Sequence, residues 1–79
     1  MNWDQVEGNW KQFKGEIRER WGRFTEDDVE IIEGRRDQLV GRLQEKYGIL
    51  REEAERQVEE FLDYLDLPPK AKMHNGGRI

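Results

Sequence analysis

Large apolar residues recur at every third or fourth position along most of this chain, as they do on one side of an amphipathic helix. The stripe consists of Val6, Trp10, Phe13, Ile17 and Trp21 in the first half and of Leu39, Leu43, Tyr47 and Leu50 in the second. We take these side chains as the candidate core. Their spacing predicts four helices, at residues 3–21, 26–33, 35–47 and 52–65, and therefore an all-α fold.

Helix-start signals support two of these boundaries. Thr25 is a natural N-cap with Asp28 three residues later, which is the spacing of a capping box. Asn2 with Gln5 can cap the first helix in the same way. The fourth helix has Arg51 at its predicted capping position, and arginine is a poor N-cap.

The two halves of the chain repeat each other at an offset of 26 residues, which aligns GNWKQFKGEIRERWGRFTEDD with GRRDQLVGRLQEKYGILREEA. The offset pairs Gly8, Gln12, Gly15, Glu19, Gly22 and Glu26 with Gly34, Gln38, Gly41, Glu45, Gly48 and Glu52. Each copy reads as a helix, a tight turn and a second helix. The repeat predicts two packed helical hairpins that arose by internal duplication.

The repeated glycines call for two kinds of explanation. Gly22 and Gly48 follow the last apolar residue of a helix and are predicted to be C-caps. Gly15 and Gly41 fall in mid-helix, where glycine costs about 1 kcal/mol relative to alanine. Either another helix backbone approaches closely at these positions, or the helices are weak by design, or duplication preserved a chance glycine.

The composition changes at Leu67, where LPPKAKMHNGGRI begins. Two prolines stop the last helix, and the remaining residues offer little to bury. We therefore expect a folded domain at residues 1–66 and a flexible tail at residues 67–79. No basic start followed by an apolar run precedes the domain, and no membrane-spanning run occurs, so a cytoplasmic protein without integral membrane association is expected.

The residue types exclude most catalytic chemistry. The chain has no cysteine and no serine, its only histidine is His74 in the predicted tail, and Thr25 is already explained as a helix cap. The glycine spacing matches neither a P-loop nor a dinucleotide fingerprint. We expect no enzyme activity, no metal and no cofactor.

Charged residues make up 41% of the chain, and they are sorted by helix. The first and third helices are mainly basic, and the second and fourth are mainly acidic. One interpretation is that acidic helices neutralise their basic neighbours. The other is that one basic interaction surface forms from Lys11, Lys14, Arg18, Arg35, Arg36 and Arg42. Such a surface would suit nucleic acid, which the net charge of −4 does not favour.

The first helix also carries Trp3, Trp10, Phe13 and Trp21 beside basic residues, a combination found in helices that lie at a membrane interface. A buried core explains the stripe better, because the second copy repeats the stripe with leucine and tyrosine, as at Leu39 and Tyr47 opposite Phe13 and Trp21. Charge-sorted helices could equally pair between two chains, so a homodimer is a further candidate.

Several segments resemble the CsbD-like family of small bacterial general-stress proteins. They are GNWKQFKG, WG-x-x-T-x-D-D, IIEG-x-R-D-Q-L-V-G and Q-E-x-Y-G, which follow one another without gaps within residues 1–62. The resemblance implies two packed helical hairpins in a SAM-domain-like arrangement, a role in the stress response and no enzyme activity. The hydrophilic, glycine-rich chain is also similar to hydrophilins, so we expect a non-enzymatic domain that protects or contacts client macromolecules of unknown identity.

Overall fold

A computed structural model describes residues 1–68 of the chain. It contains five helices, which are α1 (Trp3–Gly8), α2 (Trp10–Arg20), α3 (Glu26–Ile32), α4 (Arg36–Tyr47) and α5 (Arg51–Leu65). No strand forms within residues 1–68. The all-α prediction is confirmed, and each helix packs against the next helix in the chain. His74 and most of the predicted tail lie outside the described residues.

The predicted first helix is two helices, which corrects the prediction of a continuous helix over residues 3–21. Asn9 separates them with φ −122° and ψ 37°, so its backbone leaves the helical conformation. Its side-chain amide donates a hydrogen bond of 3.0 Å to the Gln5 carbonyl. Glycine and asparagine are both weak helix formers, so Gly8 and Asn9 together make the bend inexpensive.

Reciprocal side-chain caps begin α1 and α3. The Gln5 backbone N–H donates to the Asn2 side-chain oxygen at 3.0 Å, and the Asn2 backbone N–H donates to the Gln5 side-chain oxygen at 3.2 Å. Thr25 and Asp28 make the same exchange at 3.2 and 2.8 Å. Arg51, which the sequence placed at the capping position, is the first residue of α5. The N-cap of α5 is Leu50, which makes no side-chain hydrogen bond.

Leu50 is predicted to belong to the core, but the structure places it outside the core. Its backbone is extended, with φ −73° and ψ 158°, and its side chain is 75% exposed. The apolar stripe of α4 therefore ends at Tyr47, and the residues beyond it belong to the turn.

Of the two glycines predicted to be C-caps, Gly48 adopts the left-handed conformation and Gly22 does not. Gly48 ends α4 in the left-handed conformation, with φ 63°. Gly22 does not adopt that conformation, because α2 already ends at Trp21, which has φ −119° and ψ 89°. The C-cap assigned to Gly22 is therefore wrong. Gly34, with φ 80°, lies where a Cβ atom would meet the Glu7 backbone at 3.3 Å, so α1 and the α3–α4 turn approach closely there.

Most of the core comes from the last three helices. Ten buried apolar side chains belong to α3, α4 and α5, namely Val29, Ile32, Leu39, Val40, Leu43, Ala54, Val58, Phe61, Leu62 and Leu65. Val6 and Ile17 are the fully buried residues of α1 and α2, and Trp21 and Phe24 complete the cluster from the α2–α3 connection. Trp10, Phe13 and Tyr47 pack against this cluster while remaining half-buried.

The two ends of the folded region also meet. The N-terminal ammonium group of Met1 forms an ion pair with the Asp66 carboxylate, one residue after α5. The first and last segments of the described domain therefore lie side by side.

Candidate interaction surface

The candidate basic residues of α2 lie against the acidic helix α3. The Lys14 ammonium is 2.6 Å from a Glu30 carboxylate oxygen and 4.0 Å from Glu26. The Arg18 guanidinium is 2.7 Å from Glu26. Within residues 1–68, no ion pair joins Lys11 to a carboxylate, although Lys11 helps to lower the pKa of Glu30.

The candidates of α4 and of the preceding turn are also ion-paired. Arg36 reaches Glu59 on α5 at 2.9 Å, and Arg35 lies 3.5 Å from Glu33. Arg42 lies 3.5 Å from Asp28 on α3. The structure thus brings each of these basic side chains to a carboxylate, which reduces the positive charge that the candidate surface presents.

These contacts change the ionisation of the pair between α2 and α3. The hydrogen bond from Lys14, together with its positive charge, lowers the pKa of Glu30. The same hydrogen bond to Glu30 raises the pKa of Lys14. Both groups are therefore more firmly charged than they would be alone, as expected when neighbouring helices carry opposite charge.

Asp28 is the one buried charged side chain among the described residues, at 4% exposure. Lys46 lies 2.9 Å from its carboxylate, and the Thr25 amide donates to it at 2.8 Å. Burial acts to raise the pKa of Asp28, but the hydrogen bonds from Thr25 and Lys46 outweigh burial and hold the pKa below its usual value. A buried carboxylate with this many donors joins α3 to α4 and stays ionised.

The three tryptophans bind other parts of the same chain through their indole N–H groups. Trp3 donates to the Gly34 carbonyl at 2.7 Å, Trp10 to the Val29 carbonyl at 3.0 Å, and Trp21 to the Gln57 side chain at 2.9 Å. A tryptophan that is buried, as Trp21 is, or half-buried, as Trp3 and Trp10 are, and whose indole N–H is hydrogen-bonded within the chain is a packing residue. These contacts do not favour the membrane-interface hypothesis for the first helix.

Arg20 and Arg23 lie over aromatic rings in contacts that the sequence did not predict, and the Arg23 guanidinium is 5.4 Å from the centre of the Tyr47 ring. The Arg20 guanidinium lies 5.8 Å from the centre of the Trp21 ring, 5.9 Å from Phe61 and 5.4 Å from Tyr64. These distances are those of cation–π contacts. Trp21 is the next residue in the chain, but Phe61 and Tyr64 belong to α5, more than 40 residues from Arg20, so no local pattern around Arg20 predicts the stacking on those two rings.

An open groove of about 540 Å³ runs beside this stacked arginine. Its lining residues are Glu19, Arg20, Trp21, Tyr47, Arg56, Gln57 and Glu60. Arg56 is ion-paired with Glu53 at 2.6 Å and also with Glu60. The Trp21 indole N–H donates to the Gln57 side chain there, so most polar groups of the groove are hydrogen-bonded or ion-paired with one another.

The described part of the chain offers neither metal ligands in a group nor a membrane-spanning helix. No cluster of three or more histidine, cysteine or acidic residues in residues 1–68 could hold a metal ion. None of the five helices has the length and apolar character needed to cross a bilayer.

The mid-helix glycines Gly15 and Gly41 are exposed on the outer faces of α2 and α4. A Cβ atom at either position would meet no neighbouring atom of the described residues within 4 Å. Within one chain, the close-approach explanation for these two glycines is therefore wrong. Weak helices and a chance glycine preserved by duplication stay open as explanations, and a contact with another molecule is a further one.

The structure thus defines a class: a small all-helical domain in which ion pairs join successive helices. Comparison with known proteins gives the family. The model of the family described as CsbD-like matches residues 4–56, and the chain belongs to that family. This is a general stress-response family.

Bacterial relatives named as UPF0337 proteins support the assignment. One from Pectobacterium atrosepticum is 58% identical over 64 residues, covering 81% of this chain and 93% of the relative. The UPF0337 protein YjbJ of Escherichia coli strain K12 is 56% identical over 61 residues, covering 77% and 88%. One from Rhodopseudomonas palustris is 52% identical over 65 residues, covering 82% and 98%.

Proposed function

We propose that this protein is a non-enzymatic stress-response domain whose hydrated, charge-sorted surface keeps client macromolecules apart. One observation carries the proposal. Within residues 1–68, Ile31, Leu50 and Leu67 are the large apolar side chains that remain exposed, and ion pairs such as Lys14 with Glu30 and Arg36 with Glu59 lie on the helix surfaces. A surface of this kind holds water and repels close apolar contact, which suits a protectant better than a binding site for one ligand.

The proposal includes no catalysis, no cofactor and a cytoplasmic location. The grouped carboxylates belong to helix surfaces, and the buried one, Asp28, is occupied by Lys46 and Thr25. Nucleic-acid binding gains no support from the ion-paired basic residues, so it is an outcome to be tested and not a second proposal.

We also propose that the folded domain is residues 1–66, built from two hairpins related by duplication. In support, α2 packs on α3 and α4 packs on α5, and the matched residues Gly15 and Gly41 occupy equivalent exposed positions. Helix α5 ends at Leu65, and the N-terminus pairs with Asp66. The SAM-domain-like arrangement implied by the resemblance stays a prediction.

The test is protection of a labile enzyme, such as lactate dehydrogenase, during drying and rehydration. The matched variant carries Asp27→Asn, Glu52→Gln and Asp63→Asn, because none of these carboxylates is ion-paired within the described residues. The variant should fold as the parent does and should protect less at equal mass. Serum albumin at the same mass concentration is the control for a general protein effect.

Two results would contradict the proposal. One is protection by the parent no better than that given by albumin. The other is equal protection by the parent and the charge-reduced variant, which would show that protection does not depend on surface charge. Binding to duplex DNA at about 50 mM salt, weakening steeply as salt rises, would indicate a nucleic-acid role instead.

A further inference from the structure

The first two helices, residues 1–20, contribute little to the buried core. We call them the N-terminal arm. Val6 and Ile17 are its fully buried side chains, whereas α3, α4 and α5 contribute ten buried apolar residues. Segments with few buried contacts open more readily than the rest of a domain. The arm is therefore the part of the fold most easily separated from the remainder.

Exposed ion pairs hold α2 of this arm against α3. Glu30 and Glu26, the two acidic partners, have side chains that are 56% and 61% exposed. Arg18 is 46% exposed, and only Lys14, at 22%, is shielded. Charges in such contact with water are screened by salt, since the Debye length falls from about 10 Å at 0.1 M to about 3 Å at 1 M.

The arm is also weak in itself. Asn9 interrupts its helical hydrogen bonding, and Gly15 lies in the middle of α2 with open space around its Cα. The exposed ion pairs of α5 do not involve the arm: Arg51 with Glu55 and Arg56 with Glu60 lie within α5, and Arg36 with Glu59 joins α5 to α4. Opening of the arm breaks the pairs between α2 and α3 and the pair between the Met1 ammonium group and Asp66, but it leaves the pairs within α5 and between α4 and α5 in place.

We propose that the N-terminal arm opens from α3, α4 and α5 as a unit, and that rising ionic strength increases the open fraction. Opening breaks the hydrogen bonds from Trp3 and Trp10 to the Gly34 and Val29 carbonyls. It uncovers apolar surface of α3 that the closed fold hides. The apolar surface that the domain exposes to solvent would therefore increase as the salt concentration rises. The inference does not depend on a protective role.

Native-state hydrogen exchange followed by NMR tests this proposal. Amides in α2 should exchange through an opening with a larger equilibrium constant than amides in α5. Raising NaCl from about 0.05 to 1 M should increase the α2 constant about five-fold relative to the α5 constant, the size expected from screening a few exposed ion pairs.

Charge variants identify the contacts responsible. Lys14→Gln removes both pairs of Lys14 with α3 and should abolish most of the salt response, and Arg18→Gln should reduce it in part. Lys11→Gln is the matched control, because it removes the same charge from the same helix without an ion pair in the described structure, and it should leave most of the response intact.

Equal opening constants for α2 and α5 at every salt concentration would overturn the proposal, since the domain would then open as a single cooperative unit. A salt response in Lys14→Gln equal to that of the parent would overturn it as well. Neither result bears on the drying assay, so the two proposals fail separately.

Discussion

Replacing Gly15 and Gly41 by alanine should stabilise the domain. Both residues lie within α-helices, neither has a positive φ, and a Cβ atom at either would meet no neighbouring atom of the described residues within 4 Å. The substitution therefore restores helix propensity and reduces the freedom of the unfolded chain at no steric cost.

The magnitude follows from the helical position. Each substitution should raise the free energy of unfolding by about 1 kcal/mol. The two sites share no neighbour within 4 Å and lie on different helices, so their effects should add. For a domain of this length, each should raise the Tm by about 4–8 °C, and the double variant by about twice that.

Thermal melts and urea titrations of the single and double variants measure these values. Gly48→Ala is the matched control, because the space around Gly48 is also open but its φ is 63°. The same added methyl group should lower the Tm there, since alanine is strained in the left-handed conformation. A fall in Tm for Gly15→Ala or Gly41→Ala would refute the reasoning. It would indicate that another molecule, such as a second copy of this chain, packs on the glycine face.

Two further predictions concern single contacts. Asp28→Asn should destabilise the fold at neutral pH, and the difference from the parent should shrink as pH falls below about 3.8, the ordinary pKa. The sign follows because a depressed pKa gives stability that is present above the unfolded pKa and is lost as the group protonates in the folded state. Urea titrations from pH 7 to 2 measure this, and a difference that does not vary with pH would contradict it. Trp3→Phe should lower the free energy of unfolding by about 1–2 kcal/mol, because the Gly34 carbonyl loses its donor. An unchanged urea midpoint would show that water replaces the indole.

The sequence predicts helix ends well where neighbouring residues decide them. The Asn2–Gln5 and Thr25–Asp28 exchanges depend on side chains three residues apart, and Gly48 needs only its own backbone freedom. The alternation of charge between helices likewise indicates which helices attract each other, although it does not give the partner of each side chain.

Features that depend on distant residues escape the local pattern. The bend at Asn9 places α1 where Trp3 reaches Gly34, 31 residues away. The local signal of Gly8 and Asn9 permits this bend but does not require it. Gly22 looks like a C-cap because it follows Trp21, yet Trp21 packs its ring 5.4 Å from that of Phe61 and ends the helix itself. In both cases a tertiary contact of tryptophan overrides the local preference.

The ion pair between the Met1 ammonium group and Asp66 has a consequence for engineering the chain. Because these two points adjoin, a linker of about two to four glycines could join them. New termini could then be opened at the exposed turn between Gly48 and Arg51. In such a circular permutant α5 would precede α1, so the connection between the α4–α5 helices would be cut while their packing was kept. The linker would replace the Met1 ammonium group and its ion pair with Asp66, but the packing of the helices would stay the same. A comparison of folding rates would therefore show which part of folding depends on the order of the helices in the chain and which part depends on the surfaces that pack together.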